Sequence, residues 1–74
     1  MENNIKTAEQ LGAIIRERRK EAGLTQKKMA SLAGVGARFL SELERGKPTV
    51  QLGKTLSILQ LLGLELTVID RKAN

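Results

Sequence analysis

The sequence predicts an all-α domain of four to five helices, followed by one short β-strand. In four segments of the 74-residue chain, apolar residues recur three or four positions apart, which is the spacing of a buried helix face. Glycines follow these segments, where a helix often ends in the left-handed backbone conformation. After Gly63 the pattern changes to an alternation of apolar and polar residues, which is typical of a strand.

The size of the chain predicts a homodimer. A domain of this length buries only roughly 60% of its unfolded surface, so it usually gains stability from disulfides, a metal or a partner chain. The sequence has no Cys and no His, which excludes disulfides and removes the usual ligands of a structural zinc site. A second copy of the chain is the remaining source of stability.

Composition argues against an enzyme and favours a polyanionic partner. Without Cys or His there are no thiol nucleophiles, Ser–His pairs or histidine bases, and no segment indicates a cofactor. The 13 Lys and Arg against 8 Asp and Glu give a net charge of +5, which favours phosphates. Phe39 is the single aromatic residue, which argues against the stacking platforms of single-strand and RNA binders.

The first helix is predicted over residues 8–22. Thr7 and Gln10 have the spacing of a capping box, and Gly23 follows as a C-terminal cap. One helical face carries Leu11, Ile14, Ile15, Arg18 and Ala22. Residues 1–6 lack periodicity and are predicted to form a flexible arm. They resemble no signal peptide, and no apolar run reaches the ~20 residues of a membrane span, so we expect a cytoplasmic protein.

The second helix is predicted over residues 26–33, with Thr25 as its N-cap. Lys28 stands where a capping box has Glu or Gln, so this cap is weaker. Lys27 and Lys28 also oppose the helix dipole in the first turn. They are either retained for an anionic partner or form a solvated basic face.

The second and third helices have the layout of a helix-turn-helix unit over Gln26 to Arg45. The third helix begins at Gly36 or Ala37 and ends before Gly46-Lys47-Pro48. The small or apolar residues that the unit requires are Met29, Ala30, Ala33, Gly34, Val35, Leu40 and Leu43. Ala30 permits a close helix crossing and Gly34 permits a positive φ. An ordinary helical hairpin with a Gly turn is the alternative.

The fourth helix is predicted to be apolar on two sides. One stripe comprises Leu52, Leu56, Leu59 and Leu62. Ile58 and Leu61 project from another side, and a chain this short cannot cover both sides. The strand over residues 64–70 has no partner within the chain, so we expect it to pair with the same strand of a second subunit. The predicted dimer interface comprises Ile58, Leu61, Leu62, Leu64, Leu66 and Val68. Residues 71–74 form a polar tail.

Four segments resemble the Xre/Cro/C1-type repressors, over residues 8–63. They are Gly23-Leu-Thr-Gln26, Ala30, Ala33-Gly-Val35 and Leu43-Glu-Arg-Gly-Lys-Pro48. The strand segment resembles that of HipB-type antitoxins, in which it pairs across the dimer. The resemblance implies a lambda-repressor-like DNA-binding domain over residues 7–63 and a dimerisation strand over residues 64–70.

The resemblance also implies the DNA contacts. The residues that would face the bases are Gly36, Ala37, Arg38, Ser41 and Glu42. Those that would contact phosphates are Thr25, Gln26, Lys27, Lys28, Arg45 and Lys47. Arg38 is the strongest candidate for direct readout, because its planar fork matches the acceptors of guanine. Arg19 and Glu44 match a structural salt bridge between the first helix and the end of the third.

Two residues depart from the family pattern. Gly36 stands where a polar cap is usual, so one contact is missing. Glu42 either accepts from a cytosine amino group or pairs with Arg38 or Arg45, and we favour the pairing.

Three functions are compatible with the sequence. The first is a dimeric repressor that binds an inverted-repeat operator, occupies the nucleoid when bound, and serves as the antitoxin of a HipA-like kinase toxin. The second is a stand-alone or phage-type repressor without a toxin. The third is a protein-interaction module that has lost DNA binding, which Gly36 and Glu42 favour.

Overall fold

Four helices form in the part of the chain that the computed structural model describes, residues 4–72. They are α1 (Ala8–Glu21), α2 (Gln26–Ala33), α3 (Ala37–Glu44) and α4 (Leu52–Leu61). Residues 1–3 of the predicted arm and residues 73–74 of the predicted tail lie outside this part. The bounds of α2 are the predicted ones, and α1 and α4 start where predicted and end one residue earlier.

The start of α1 is the predicted capping box. Thr7 Oγ1 accepts from the Gln10 backbone N–H at 3.1 Å, and Gln10 Oε1 accepts from the Thr7 N–H at 3.2 Å. α1 packs against α3, and Gly12 lies at this crossing. A Cβ on Gly12 would lie 2.7 Å from the Glu44 carbonyl oxygen and closer still to that of Leu43. The two backbones therefore approach more closely than any side chain would allow, which the sequence pattern does not indicate.

The turn between α2 and α3 depends on Gly34, as the sequence predicts. Its φ of 71° and ψ of 31° are left-handed, which costs a glycine little. The N–H of the next residue, Val35, donates to the Ala30 carbonyl of α2 at 2.9 Å. Ala30 is 2% exposed, so the two helices cross over a small side chain.

One hydrophobic core joins all four helices. Its buried members are Ile15, Met29, Ala30, Leu40, Leu43, Ile58 and Leu59. α4 packs against α2 and supplies the last two. A polar residue, Thr55, is also buried, and its hydroxyl donates to the Gln51 carbonyl at 2.8 Å. The buried hydroxyl is therefore satisfied by the N-cap residue of its own helix.

The buried face of α4 follows the predicted stripe at Leu56, Leu59 and Leu62, which lie in or against the core, and departs from the prediction at two positions. Leu52 is 63% exposed, whereas Ile58 is fully buried. The prediction that Ile58 lies in a dimer interface is therefore wrong, because its whole side chain packs inside its own chain. The two faces carry similar apolar residues, so the packing of α4 against the rest of the core decides which of them turns inward.

The predicted strand is not formed in the single chain. Residues 64–70 have no regular secondary structure. The Leu64 N–H donates to the Leu59 carbonyl at 2.8 Å, and Leu64 packs against the core. Within residues 4–72, no backbone–backbone hydrogen bond joins residues 65–70 to another segment. A strand requires a second strand with which to exchange such bonds, and the chain itself does not supply one.

None of the four helices within residues 4–72 is long and apolar enough to cross a membrane.

Candidate nucleic-acid interface

The outer face of α3 carries the residues predicted to face DNA bases. Leu40 and Leu43 fix the inner face in the core. On the opposite side Ala37 and Arg38 are exposed, and the side chain of Arg38 is 90% exposed. Ser41 is partly exposed beside them. The core thus holds α3 in an orientation that directs these side chains into solvent.

The N-terminus of α3 is open. Gly36 is the N-cap, with extended backbone and no side-chain hydrogen bond to the first turn. A polar cap would have satisfied one of the free N–H groups there. Gly36 therefore lacks the side-chain cap that is usual in the family at this position. Its exposed backbone has no side chain that would keep another molecule at a distance.

Glu42 pairs with two cations, which we call the α3 ion cluster: Arg38, Glu42 and Lys47. Arg38 Nε lies 3.4 Å from Glu42 Oε2, and Lys47 Nζ lies 3.2 Å from Glu42 Oε1. The hydrogen bond from Lys47 is the main reason that the pKa of Glu42 lies below its ordinary value. The predicted pairing with Arg38 is present, but the second partner is Lys47 and not Arg45.

The residues predicted to contact phosphates fall into two groups. Lys27, Lys28 and Arg45 have exposed side chains. Thr25 is committed to the fold, since its Oγ1 accepts from the Lys28 N–H at 3.0 Å and so caps α2. Its hydroxyl hydrogen can still be donated to a phosphate.

Gln26 braces α3 from the start of α2. Its Nε2 donates to Glu44 Oε1 at 2.9 Å. The amide nitrogen has two hydrogens and the amide oxygen is a further acceptor, so this bond leaves other polar contacts available to the partly exposed side chain. The position of Gln26 is thus fixed by the same carboxylate that anchors the end of α3.

Arg19 and Glu44 form a buried ion pair between α1 and α3. Arg19 Nε and Nη2 donate to the two Glu44 oxygens at 2.6 and 3.0 Å, and Arg19 Nη1 donates to the Leu24 carbonyl at 2.7 Å. Burial raises the pKa of Glu44, but the hydrogen bonds from Arg19 and Gln26 and nearby positive charge lower it overall. This network holds the end of α3 against α1 and the start of α2.

Lys54 is a basic residue beside α3 that the sequence analysis does not single out. Its Nζ lies 5.5 Å from the centroid of the Phe39 ring, which is within the range of a cation–π contact. Over residues 26–54 there are six basic and two acidic side chains, so the helix-turn-helix region holds most of the excess positive charge. The basic character of this segment could have indicated Lys54 as a candidate for phosphate contact. The sequence does not indicate that Lys54 lies beside Phe39.

The residues predicted to form a dimer interface occupy different environments. Leu62 and Leu64 pack half-buried against the core, and Leu61 is 42% exposed. Leu66 and Val68 are 55% and 92% exposed. Apart from Ile58, these side chains keep surface that a second chain could cover.

Within the described residues, no three His, Cys, Asp or Glu side chains gather where they could hold a metal ion.

Comparison with known proteins identifies the family. Residues 10–71 match the family model described as "Helix-turn-helix domain". An uncharacterized HTH-type transcriptional regulator of Sinorhizobium fredii, y4mF, is 48% identical over 69 residues, which cover 93% of this chain and 91% of that protein. The ImmF control region 10 kDa protein of Bacillus phage phi105 is 42% identical over 62 residues, 80% of this chain and 66% of that protein.

A solved structure has the same fold over nearly its whole length. A chain of the HipA-HipB-O2-O3 complex aligns with a TM-score of 0.84 and 27% identity, over 95% of this chain and 99% of that chain. The matched family segment contains α2, the Gly34 turn and α3 in full. The chain therefore belongs to the helix-turn-helix family of Xre-type transcriptional regulators, a class of DNA-binding proteins and not of enzymes.

Proposed function

We propose that the protein is a dimeric transcriptional repressor that binds a double-stranded, inverted-repeat operator through the outer face of α3. The observation that carries this proposal is the contrast across α3. Its inner face is fixed by the core and by the Arg19–Glu44 pair, while Arg38 on its outer face is 90% exposed. A helix held this firmly can present its outer side chains to the edges of bases in a major groove.

Arg38 is the proposed direct reader. Its guanidinium can donate two parallel hydrogen bonds to O6 and N7 of guanine. Ala37 can contact a thymine methyl group, and Ser41 can donate or accept. Gly36 allows a close approach of the backbone. The groups proposed to contact phosphates are those of Thr25, Gln26, Lys27, Lys28, Arg45 and Lys47.

Dimerisation through residues 64–70 is proposed because residues 65–70 form no backbone–backbone hydrogen bond with another segment and carry exposed apolar side chains. Leu66, Val68 and Ile69 are 55%, 92% and 69% exposed. Pairing with the same segment of a second copy would satisfy the backbone and cover these side chains. The dimer would place two α3 helices about 34 Å apart, or a multiple of that, in successive major grooves. Bound at a promoter, it would exclude RNA polymerase.

The proposed protein partner is a HipA-like kinase toxin, which would make this chain an antitoxin that regulates its own operon. Support comes from its likeness to a chain of the HipA-HipB-O2-O3 complex over 99% of that chain. Such a protein would work in the cytoplasm, on the nucleoid while bound to DNA. The 42% identity to a phage control-region protein favours the second candidate, a stand-alone repressor without a toxin.

Fluorescence anisotropy tests DNA binding. The protein is titrated into labelled duplex from the region upstream of its own gene and into a scrambled duplex, at two salt concentrations. We expect tight, selective binding to the first that weakens steeply with salt. Arg38→Ala should reduce the ratio of the two affinities by roughly 5- to 100-fold. Lys27→Ala should weaken binding to both duplexes by the same factor. Equal binding of the wild type to both duplexes would contradict a sequence-specific repressor, and the absence of salt-dependent binding to either duplex would favour the protein-interaction module.

Co-purification tests the toxin partner. A tagged HipA-like kinase is expressed together with this chain, and the kinase is purified through its tag. Retention of the wild-type chain on the kinase through a high-salt wash supports the antitoxin role. DNA binding without retention supports the stand-alone repressor.

A further inference from the structure

The α3 ion cluster uses two cations of the proposed DNA surface on one carboxylate. Glu42 accepts from Arg38 with one oxygen and from Lys47 with the other, at 3.4 and 3.2 Å. The Lys47 backbone N–H also donates to the Glu42 carbonyl at 3.0 Å, which holds Lys47 against the end of α3. Any phosphate that approaches Lys47 or Arg38 must therefore compete with Glu42.

The position of Glu42 does not favour the helix. Glu42 lies in the last turn of α3, where the helix dipole disfavours a negative charge. In its pair with Arg38 the base precedes the acid by four residues, which is the less stabilising order. Neither the helix dipole nor the order of the Arg38–Glu42 pair favours a glutamate here, so the distinctive feature of Glu42 is its contact with two cations of the proposed DNA surface.

The contact with Glu42 uses one nitrogen of Arg38. Among the hydrogen bonds of residues 4–72, Arg38 donates through Nε to Glu42 Oε2. Its two terminal nitrogens make no hydrogen bond within residues 4–72, and they can donate to O6 and N7 of guanine. A contact at Nε restricts the orientations of the guanidinium, so less freedom is lost when it binds a base.

We propose that Glu42 is a specificity-determining residue of the DNA interface, which orients Arg38 for a guanine and opposes binding to phosphates. The proposal rests on the proposed DNA binding through α3. In a complex with unrelated DNA, affinity comes almost wholly from phosphates, so the negative charge weakens it. In the cognate complex the oriented fork of Arg38 offsets this loss. Glu42 thus widens the ratio between cognate and unrelated DNA.

The test compares the wild type with Glu42→Gln on two probes. One is a 20-base-pair duplex selected by the wild-type protein from a random-sequence pool, and the other is the same duplex scrambled. Glu42→Gln should bind the scrambled duplex about threefold or more tighter, with a salt dependence steeper by about one phosphate contact. The ratio of the two affinities should fall by about tenfold, as expected for loss of an oriented bidentate contact.

Two controls separate charge from orientation. Glu17→Gln makes the same charge change on the exposed surface of α1 and should leave the ratio unchanged. Glu42→Asp keeps the charge on a shorter side chain, so it should lose selectivity without gaining affinity for the scrambled duplex. In an Arg38→Ala background, Glu42→Gln should still strengthen binding to the scrambled duplex, but it should no longer reduce selectivity.

Three results would overturn the proposal. If the wild type selects no duplex from the pool, the proposed DNA binding fails and this inference fails with it. If the wild type is selective and Glu42→Gln keeps the full ratio, only the role of Glu42 is lost. If Glu17→Gln lowers the ratio as much as Glu42→Gln, the effect is one of net charge alone. Thermal melting of each variant checks that the fold is intact.

Discussion

The carboxylate of Glu44, in α3, accepts hydrogen bonds from α1 and from α2 and so links the three helices. Its side chain is 2% exposed, and its oxygens accept from Arg19 Nε, Arg19 Nη2 and Gln26 Nε2. Within residues 4–72, no buried side-chain nitrogen or oxygen lacks a hydrogen-bond partner. A buried charge is tolerable only when it is paired in this way, because an unpaired one keeps its full desolvation penalty.

Glu44→Ala should lower the stability of the fold strongly. The change leaves the Arg19 guanidinium buried without its partner, which costs about 3 kcal/mol or more. In a domain of this size the melting temperature should then fall by roughly 10 °C or more. Circular dichroism during heating measures it, with Glu17→Ala on the exposed side of α1 as the control. Equal melting temperatures for wild type and Glu44→Ala would contradict the structural role of this pair.

The lowered pKa of Glu44 predicts a loss of stability in acid. A carboxyl group with a lower pKa in the folded state stabilises the fold above its unfolded pKa, and this contribution is lost as the pH falls through the folded value. The free energy of unfolding should therefore decrease below the ordinary pKa of 4.5. Urea titrations at neutral and acidic pH measure the decrease. It should be smaller in Glu44→Gln, and an identical decrease would show that other carboxylates cause it.

Among the helices, the α2–α3 turn and the α1–α3 crossing each depend on a glycine, for different reasons. Gly34 is required for its left-handed backbone, and a Cβ there would meet nothing within 4 Å. Gly12 lies inside a regular helix, where any residue could adopt the backbone conformation. A larger residue is excluded because its Cβ would lie 2.7 Å from the Glu44 carbonyl oxygen of α3. The first requirement is conformational and the second is steric.

Gly12→Ala should destabilise the protein although alanine favours helices. The added methyl overlaps the carbonyl oxygens at the end of α3, so α1 must shift, at a cost of about 1–3 kcal/mol. Gly53→Ala in α4 is the matched control, since a Cβ there meets nothing within 4 Å. This control should keep or slightly raise stability. Urea unfolding measures both, and equal stabilities would contradict the close α1–α3 crossing.

At the scale of the whole molecule, a single chain leaves apolar surface uncovered at one end. Leu66, Val68 and Ile69 are exposed in a segment with unpaired backbone, while the rest of the core is closed by four helices. A domain this small has little stability to spare. Covering this segment with a second copy is the proposed route by which two α3 helices come to act on one operator.

The double substitution Leu66→Ser and Val68→Ser should weaken dimerisation and operator binding together. Removal of two apolar side chains from a proposed interface should raise the dimer dissociation constant by roughly 10-fold or more. Val68 is 92% exposed, so its loss should barely change the packing within one chain. Sedimentation equilibrium measures the association, with Thr67→Ser as the control. A monomeric wild type at high concentration would contradict the dimer.

Features that depend on neighbouring residues could be predicted from the sequence alone. The Thr7–Gln10 capping box, the Thr25 cap and the Gly34 turn are hydrogen bonds and dihedral angles within a few residues of each other. The bounds of α1 and α2 and the helix-turn-helix spacing follow from them. Arg19 and Glu44 were assigned to each other through a family resemblance, and the structure contains that pair.

The contacts between helices could not be predicted from local pattern and are known from the folded chain. The sequence does not show which apolar side of α4 faces inward, so it predicted Ile58 in a dimer interface, whereas Ile58 is fully buried and Leu52 of the other stripe is 63% exposed. Nor does it show that Gly12 lies against α3 or that Lys47 reaches Glu42. These outcomes depend on how whole helices rotate and approach one another, and that is set by the packing of many side chains at once and not by local pattern.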